Sequence, residues 1–260
     1  MPELPEVETL CRQLRQRIIN VEIEGTSVLD SKLGTLDNLK AQRIVSVSRR
    51  GKRIVLELDN GKGLEIHLRM TGRLLWQERG EKPPPHSRFI LDMSSGQVIV
   101  VDPRRFATLS VVFLDVARES AVVDALNPGC VEVLIEKSRN RMRSVKSFLM
   151  DQQIISGIGN IYACEILYRV GFSPRRKAAD LSPADWRCVE SAMVAVLSKA
   201  IECRGTSISD WRDLFGREGE YQKELLVYGR EGEVCQRCGG IIQRERFLGR
   251  GTWFCPDCQV

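Results

Sequence analysis

The first eighteen residues carry apolar side chains at helical spacing. These apolar positions recur at steps of three and four residues: Leu4, Val7, Leu10, Leu14 and Ile18. That spacing places them on one face of a helix. Prolines and glutamates precede and overlap the start of this stripe, where a helix tolerates proline and its partial positive charge favours acidic side chains. The pattern predicts an amphipathic helix close to the N-terminus.

Between about residues 20 and 115 the pattern changes to short alternating or β-branched runs. The clearest runs are residues 44–48, 53–58, 64–70, 88–93, 97–102 and 108–114. Segments rich in glycine, proline, serine, aspartate and asparagine separate them, at 59–61, 82–85 and 94–96. Several short strands at this spacing are typical of an antiparallel sandwich or a barrel. We expect a β-sandwich flanked by helices.

Strand-like runs stop at residues 124–129, and helical patterns follow. The sequence predicts helices at 131–142, 145–153, 160–170 and 182–203, with a tight glycine-containing turn at 157–160. Two helices around such a turn resemble a helix-turn-helix. Two short strand-like pieces, 240–247 and 251–255, end the chain. We therefore expect an α+β protein with a β domain over 1–125, a helical domain over 126–234 and a small hairpin over 235–260.

Composition limits the class of protein. The chain has 260 residues, of which 43% are hydrophobic and 28% charged, which is sufficient for two cores and too apolar for a disordered chain. It contains no run of about 18 apolar residues that would span a membrane. The acidic N-terminal segment does not fit a secretory signal. We expect a soluble cytoplasmic protein with no membrane partner.

The charge balance permits a polyanionic partner without requiring one. Thirty-nine Lys and Arg against 34 Asp and Glu give a net charge of +5. Basic residues concentrate at 49–53 and at 137–146. Taken alone, each cluster fits a solvated surface as well as a phosphate-binding surface.

The nine cysteines fall into two groups. Most are scattered, and an odd, scattered set indicates a reducing compartment without a disulfide framework. The last four form two C-x-x-C pairs with sixteen residues between them: Cys235, Cys238, Cys255 and Cys258. This spacing fits one tetrahedral zinc ion, and four cysteines leave no open coordination position, so the site would be structural. The alternatives are free thiols or a redox pair. Arg250, in a turn predicted over residues 249–252, is the exposed candidate for a phosphate contact, because the glycines on either side would let a phosphate come close.

The N-terminus offers a nucleophile. Met1 is expected to be removed because the next residue is small, which would leave Pro2 with a free secondary amine. Such an amine can attack a carbonyl carbon or a sugar C1′ and form a Schiff base, and Glu3 is the nearest possible proton carrier. The alternative is that Pro2 and Glu3 merely open a helix.

Motifs spread in order over the whole chain resemble one enzyme family. They are MPELPEVET at the start, RRGKR (49–53), HLRMTG (67–72), DPRRF (102–106), KSFLMDQ (146–152), GIGNIYACEIL (157–167), VYGREG (227–232) and GRGTWFCPDC (249–258). Together they resemble the formamidopyrimidine-DNA glycosylases of bacterial base-excision repair. The related endonuclease VIII group usually has glycine in place of Leu4, so Leu4 favours the branch that acts on oxidised purines. Cys164 departs from a position that is often acidic or small.

The resemblance implies roles for the reactive residues. Pro2 would attack C1′ of the damaged nucleotide, and Glu3 would act as general acid and base. Lys52 would contact phosphate and assist β-elimination. Arg250 would clamp the phosphates and assist δ-elimination, and Asn160 would bind the same stretch of backbone.

The resemblance also implies DNA-binding residues. Met70, Arg104 and Phe106 match the residues that fill the space left by an extruded nucleotide. His86, Arg141 and Lys146 match residues that contact phosphate or the lesion. Glu6 would help to hold the N-terminal segment. Residues 205–222 match the flexible loop that covers the extruded base, and the sequence assigns no contact to its side chains. The helical part would contain the helix-two-turn-helix fold.

We therefore expect a monomeric, zinc-containing DNA glycosylase and AP lyase that acts on double-stranded DNA with a damaged base. Its location would be the bacterial cytoplasm, with the nucleoid reached through DNA. Two alternatives remain at this stage. One is an enzyme of the endonuclease VIII type that prefers oxidised pyrimidines, and the other is a catalytically silent zinc protein that binds DNA.

Overall fold

The computed structural model describes residues 1–114 and 122–260. The chain divides into two compact units. The β unit comprises Met1–Glu119 with Cys203–Glu220, and the helical unit comprises Ser120–Glu202 with Tyr221–Val260. The domain limits predicted from the sequence assign residues 203–220 to the helical part, whereas their contacts group them with the β unit.

In its described residues, the β unit contains one α-helix and two antiparallel sheets. The helix is α1 (Leu4–Ile18). The strands are β1 (Ile23–Val28), β2 (Ile44–Arg50), β3 (Arg53–Leu58), β4 (Lys62–His67), β5 (Arg73–Gln77), β6 (Ser87–Met93), β7 (Gly96–Val101) and β8 (Thr108–Phe113). One sheet has the order β1-β6-β7-β5 and the other β2-β3-β4-β8. The predicted helix and the six predicted strand runs are all present.

A single apolar core joins α1 to both sheets. Alternate residues of β6 and β7 point into it, among them Phe89, Leu91 and Val100. The predicted helical stripe supplies Leu10 and Leu14 to the same core. On the opposite face of the first sheet, three buried residues form a smaller cluster: Ile90, Ile99 and Val101. The alternation read from the sequence therefore separates the two faces of this sheet as a strand period of two requires.

The helical unit contains four α-helices in its described residues. They are α2 (Cys130–Ser138), α3 (Val145–Leu149), α4 (Asn160–Val170) and α5 (Pro183–Glu202). Short strands β9 (Val123–Asp124) and β10 (Ile155–Ser156) pair in parallel. The unit ends in an antiparallel hairpin of β11 (Gln243–Phe247) and β12 (Arg250–Phe254). The α+β class and the helical C-terminal part are as predicted.

Three predicted elements end earlier than the sequence pattern suggested. Strand β4 ends at His67 because Arg69 has a φ of 56° and the chain turns back, with Gly72 N–H donating to the Leu68 carbonyl. Helix α2 ends at Ser138, since Asn140 adopts a φ of 61°. Helix α3 ends at Leu149, and the Asp151 carboxylate then accepts the Gln153 N–H in a local turn.

No helix in the described ranges is long and apolar enough to cross a bilayer.

Candidate catalytic and nucleic-acid-binding site

The N-terminal segment is buried and fixed by carboxylates. Pro2 and Glu3 are both buried, and Glu3 and Glu6 form a reciprocal capping box at the start of α1. The Glu3 N–H donates to Glu6 Oε2 at 2.8 Å, and the Thr206 N–H donates to Glu6 Oε1 at 2.8 Å. Pro2 and Glu3 do stand at the start of a helix, as the alternative interpretation of the sequence holds. That helix start is buried in the protein. Glu6 thereby fastens Glu3 to the segment at residue 206.

Gly205 permits this close approach. Its φ is +82°, and a Cβ at this position would lie 2.7 Å from Glu6 Oε1. A side chain would therefore displace the Glu6 carboxylate as well as strain the backbone.

Lys52 occupies a two-residue hairpin turn and is nevertheless buried. Arg50 and Arg53 pair at the ends of β2 and β3, leaving Gly51 and Lys52 as the loop. Gly51 has a φ of 58°, and the favoured two-residue hairpin turns require a positive φ at their first central residue. Lys52 is 8% exposed. A lysine in such a turn is ordinarily solvated, so its burial supports a functional role over a solvated turn.

Positive charge gathers near the end of β4. Desolvation, together with the charges of Arg69, Arg53 and Lys52, lowers the pKa of His67 to about 4. The imidazole is therefore neutral at physiological pH, and its Nδ1 accepts the Arg69 N–H at 3.0 Å. His67 is thus a structural acceptor that holds the turn after β4.

Two exposed turns of the β unit carry Met70, Arg104 and Phe106, the residues predicted to fill the space left by an extruded nucleotide. We call them the wedge residues. The first wedge turn is residues 68–72 and contains Met70; the second wedge turn is residues 103–107 and contains Arg104 and Phe106. Met70 is 54% exposed and Phe106 is 40% exposed, although apolar side chains of this size usually belong to cores. The Arg104 guanidinium carbon lies 4.7 Å from the centre of the Phe106 ring. The exposed pair offers a stacking surface.

His86 lies on the surface at the start of β6 with a φ of 66°. Its carbonyl accepts the Asp102 N–H at 3.0 Å. The residue is therefore held close to the beginning of the second wedge turn, and its imidazole is available to solvent.

In the helical unit, two side chains converge on the hairpin strand that bears Arg250. The Lys146 ammonium donates to the Gly251 carbonyl at 3.2 Å and to Thr252 Oγ1 at 2.6 Å. Asn160, the first residue of α4, donates from Nδ2 to the same Gly251 carbonyl at 3.0 Å. Lys146 is 2% exposed. This placement favours a positioning role for Lys146 over the phosphate contact expected from the sequence, which stays a prediction.

Arg250 and Arg141 are exposed. The sequence suggested that Arg250 lies in the turn, but the turn consists of Leu248 and Gly249, both with positive φ. Arg250 is instead the first residue of β12, paired with Phe247. Strand pairing therefore fixes its backbone beside the tip of the hairpin, while the residue stays exposed.

The four C-terminal cysteines form a metal site. Their sulfur atoms lie within 4.8 Å of one another; Cys235 and Cys258 sulfurs are 3.8 Å apart, and Cys238 and Cys255 sulfurs 3.4 Å. Tetrahedral zinc with Zn–S bonds of about 2.3 Å needs sulfur separations of about 3.8 Å. The thiolates therefore fit one zinc ion and would fill its coordination sphere. Bound there, zinc would supply structural stability to the hairpin.

The predicted covering loop, residues 205–222, is anchored in its middle. Trp211 and Leu214 are buried in the core of the β unit, and the Trp76 N–H donates to the Leu214 carbonyl at 2.8 Å. Asp213 is buried and accepts from Gln13 Nε2 at 2.9 Å. Residues 208–210 and 215–218 on either side are exposed. These exposed pieces, together with Glu220, are thus the part of the segment that a ligand could contact.

Sequence reasoning missed three buried polar residues that hold backbone segments in place. Asp102 and Arg88 lie beneath the second wedge turn. Glu165 accepts the backbone N–H groups of three residues: Leu226, Val227 and Tyr228. Asp102 and Glu165 stand inside DPRRF and GIGNIYACEIL, so motif membership was the available signal. Their partners are distant in sequence or lie in the backbone, and this hid their roles.

Family comparison covers nearly the whole chain. Residues 1–109 match the formamidopyrimidine-DNA glycosylase N-terminal domain, and residues 122–211 match the formamidopyrimidine-DNA glycosylase H2TH domain. Residues 232–260 match a zinc finger found in FPG and IleRS. With the sulfur geometry, this confirms the expected structural zinc site.

Full-length relatives carry the same name. A formamidopyrimidine-DNA glycosylase of Heliobacterium modesticaldum is 40% identical over 276 residues, and one of Desulfitobacterium hafniense is 37% identical over 273 residues; both alignments cover 100% of each chain. Among solved structures, Lactococcus lactis Fpg in complex with DNA containing an abasic site has a TM-score of 0.90 at 31% identity, with 99% of both chains covered. A mutant of the same protein bound to DNA containing Fapy-dG has a TM-score of 0.91. The family expected from the motifs is confirmed: the chain belongs to the formamidopyrimidine-DNA glycosylase family of DNA-repair enzymes.

Proposed function

We propose that this protein is a bifunctional DNA glycosylase and AP lyase that binds double-stranded DNA as a monomer. It excises oxidised purines, 8-oxoguanine and formamidopyrimidines, and then cleaves the strand by β,δ-elimination. The observation that carries the proposal is the buried N-terminal segment, where Glu3 is held by Glu6 directly after Pro2. The first turn of α1 is buried as well, so the distinguishing feature is that a carboxyl group is fixed directly after the residue that supplies the amine.

The first step is nucleophilic attack by Pro2. After removal of Met1, the lone pair of the proline nitrogen attacks C1′, the bond from C1′ to the base breaks, and the base leaves with that electron pair and a proton. The proton that the base takes comes from the proline nitrogen, and the iminium at C1′ forms when the nitrogen lone pair replaces the bond from C1′ to the ring oxygen as the ring opens. Glu3 donates a proton to the sugar ring oxygen as the ring opens and later accepts one, which suits a carboxyl group held at a fixed position. The helix start favours the neutral amine, while Glu3 and Glu6 oppose it.

The second stage removes the two phosphates. Loss of a C2′ proton from the iminium expels the 3′ phosphate, and loss of a C4′ proton then expels the 5′ phosphate; water finally releases the sugar fragment from Pro2. Lys52 is suited to the first elimination because a buried ammonium can bind phosphate and transfer a proton. Arg250 clamps the phosphates and assists the second elimination, and Asn160 binds the same backbone.

Access to C1′ requires that the nucleotide leave the base stack, at a cost of about a few kcal/mol. Side chains that enter the vacated space offset this cost. Met70 and Phe106 are exposed apolar groups of the kind needed. Arg104 can hydrogen-bond the remaining base and stack on it at the same time.

Borohydride trapping tests the nucleophile. Reduction during reaction with a duplex containing 8-oxoguanine is expected to yield a covalent complex of protein and DNA. An N-terminal tag left in place, which puts the Pro2 nitrogen in a peptide bond, should abolish it, whereas Pro5→Gly, a change at the same helix start that leaves the Pro2 amine free, should leave it intact. Intact mass must first show that Met1 has been removed. A complex that persists when the Pro2 nitrogen is in a peptide bond contradicts the assignment.

A competition assay tests the class of lesion. The protein is given equal amounts of duplex with 8-oxoguanine and duplex with thymine glycol, and the rate of cleavage of each is followed. Faster cleavage of the purine lesion is expected. Preference for the oxidised pyrimidine would instead indicate the endonuclease VIII type of activity.

A further inference from the structure

Both wedge turns are fastened to one buried carboxylate, that of Asp102, which is 1% exposed. In the first wedge turn, the Thr71 hydroxyl donates to Asp102 Oδ1 at 2.5 Å. In the second, the backbone N–H groups of Phe106 and Ala107 donate to Oδ2 at 2.6 and 2.7 Å, and that of Arg104 donates to Oδ1 at 3.2 Å. The residues that bear the wedge side chains are therefore bonded to Asp102 directly or through an adjacent residue.

Arg88 braces this arrangement from below. Its guanidinium donates to the Ala107 carbonyl at 2.8 Å and lies 3.5 Å from Asp102 Oδ2. It also donates to Asp30 at 2.6 Å, and Asp30 in turn accepts from Arg105 on the surface. The second wedge turn is thus held on both sides by charged pairs, which also compensate the burial of the Asp102 charge.

The geometry calls for a carboxylate at this position. Four protein donors and the Arg88 guanidinium converge on the side chain, and an ionised carboxylate only accepts hydrogen bonds, with about four sites. Burial alone would raise the pKa of Asp102, but the hydrogen bonds from Ala107, Thr71 and Phe106 outweigh it and lower the pKa below its ordinary value. Asparagine at position 102 would place its NH2 group opposite one of these hydrogen-bond donors, where no bond can form.

We propose that Asp102 is a positioning residue that holds Met70, Arg104 and Phe106 as one preformed wedge for nucleotide extrusion. The inference rests on the proposed function, since it assigns a role within the same reaction. A wedge that is already ordered loses less conformational entropy when it enters DNA. The Thr71 hydrogen bond is the link that makes the two turns act together.

The sharpest test uses Thr71→Val, with Thr71→Ser as the matched control. Valine preserves the shape and removes the hydroxyl, serine keeps the hydroxyl, and Asp102 with its backbone donors is unchanged in both. Extrusion is followed by stopped-flow fluorescence of 2-aminopurine placed beside 8-oxoguanine in a duplex. We expect Thr71→Val to slow the extrusion phase about tenfold, the order that corresponds to one lost hydrogen bond to a charged group, and Thr71→Ser to behave as wild type. Asp102→Asn, which disturbs both turns, should have a larger effect.

Borohydride trapping on a single-stranded oligonucleotide with an abasic site separates positioning from chemistry, because no base has to leave a duplex stack. The Thr71→Val variant should be trapped on this substrate at the wild-type rate. Its melting temperature should stay within a few degrees of that of the wild-type protein. Extrusion at the wild-type rate in Thr71→Val overturns the inference. An equal loss of trapping on the abasic strand also overturns it, since the residue would then act on the chemistry or on folding. Failure of the wild-type protein to trap any lesion would instead refute the proposed function.

Discussion

Lys146 offers a direct test of how the Arg250 strand is held. Replacing it with methionine keeps the length of the side chain and removes the ammonium. The buried Thr252 hydroxyl and the Gly251 carbonyl then lose a charged donor. Arg250 itself is unchanged, so an effect on its position would come through the contacts of Lys146, among them these two neighbours of Arg250.

The size of the effect follows from these contacts. A buried polar group left without its partner costs about 1–3 kcal/mol. With two acceptors affected, one of which Asn160 still contacts, we expect Lys146→Met to lower the free energy of unfolding of the zinc-loaded helical unit by about 3 kcal/mol. Lys199→Met, which removes an exposed lysine from α5, should change it by about 0.5 kcal/mol or less.

Guanidinium unfolding, followed by circular dichroism, measures the loss. A double-mutant cycle with Thr252→Val then isolates the pair, and we expect a coupling energy of about 1–3 kcal/mol. DNA binding is measured in parallel as a function of salt, because each phosphate contact contributes about 0.9 to the slope of log affinity against log salt. Arg141→Gln should reduce this slope by about 0.9 without loss of stability.

The opposite pattern would refute the reasoning. If Lys146→Met left stability unchanged and reduced the salt slope as Arg141→Gln does, Lys146 would be a phosphate ligand. Additive effects of Lys146→Met and Thr252→Val would likewise show that the hydrogen bond between them contributes nothing to the unit.

Three further outcomes follow from the structure. Chelation of zinc should abolish DNA binding at a temperature where the circular dichroism of the β unit is unchanged; simultaneous loss of both signals would contradict separate cores. Lowering the pH from about 6.5 to about 4 should reduce stability, because the unfolded chain takes up a proton at His67 that the folded chain, with a His67 pKa of about 4, does not; urea unfolding of His67→Asn at pH 5 and 7 should show a smaller difference than wild type. Glu165→Ala should lower the free energy of unfolding by about 2–4 kcal/mol, since three backbone N–H groups lose a buried acceptor. Amide hydrogen exchange at residues 226–228 should accelerate, and unchanged exchange would refute this expectation.

Local pattern predicted the elements well, and it failed where backbone geometry departs from the pattern. Helix α1 has the predicted extent because its apolar stripe and its acidic start agree with each other. The end of β4 was placed too late because its apolar character continues through Leu68 and Met70, while the actual turn depends on a left-handed Arg69. Side-chain pattern carries little information about such single dihedral angles.

The candidate site was predicted from motifs, and the physical roles of several members were not. Lys52 and Lys146 are both basic residues in basic segments, and nothing in those segments shows that both are buried. For Lys146 the reason is a partner 106 positions away, Thr252. Sequence spacing reveals contacts within a helix or a strand pair, whereas a contact at this separation depends on the completed fold.

The placement of residues 203–220 has a consequence for anyone who wishes to divide the chain. These residues follow the main helices in sequence but belong to the β unit, and their Trp211 and Leu214 side chains lie in its core. No single cut therefore yields two self-sufficient pieces: a fragment of the first 114 residues would lack two of its own interior side chains, and a fragment from 122 onward would carry them exposed. A workable division must therefore attach residues 203–220 to the N-terminal fragment. In the C-terminal fragment, a linker must then join Glu202 to Tyr221.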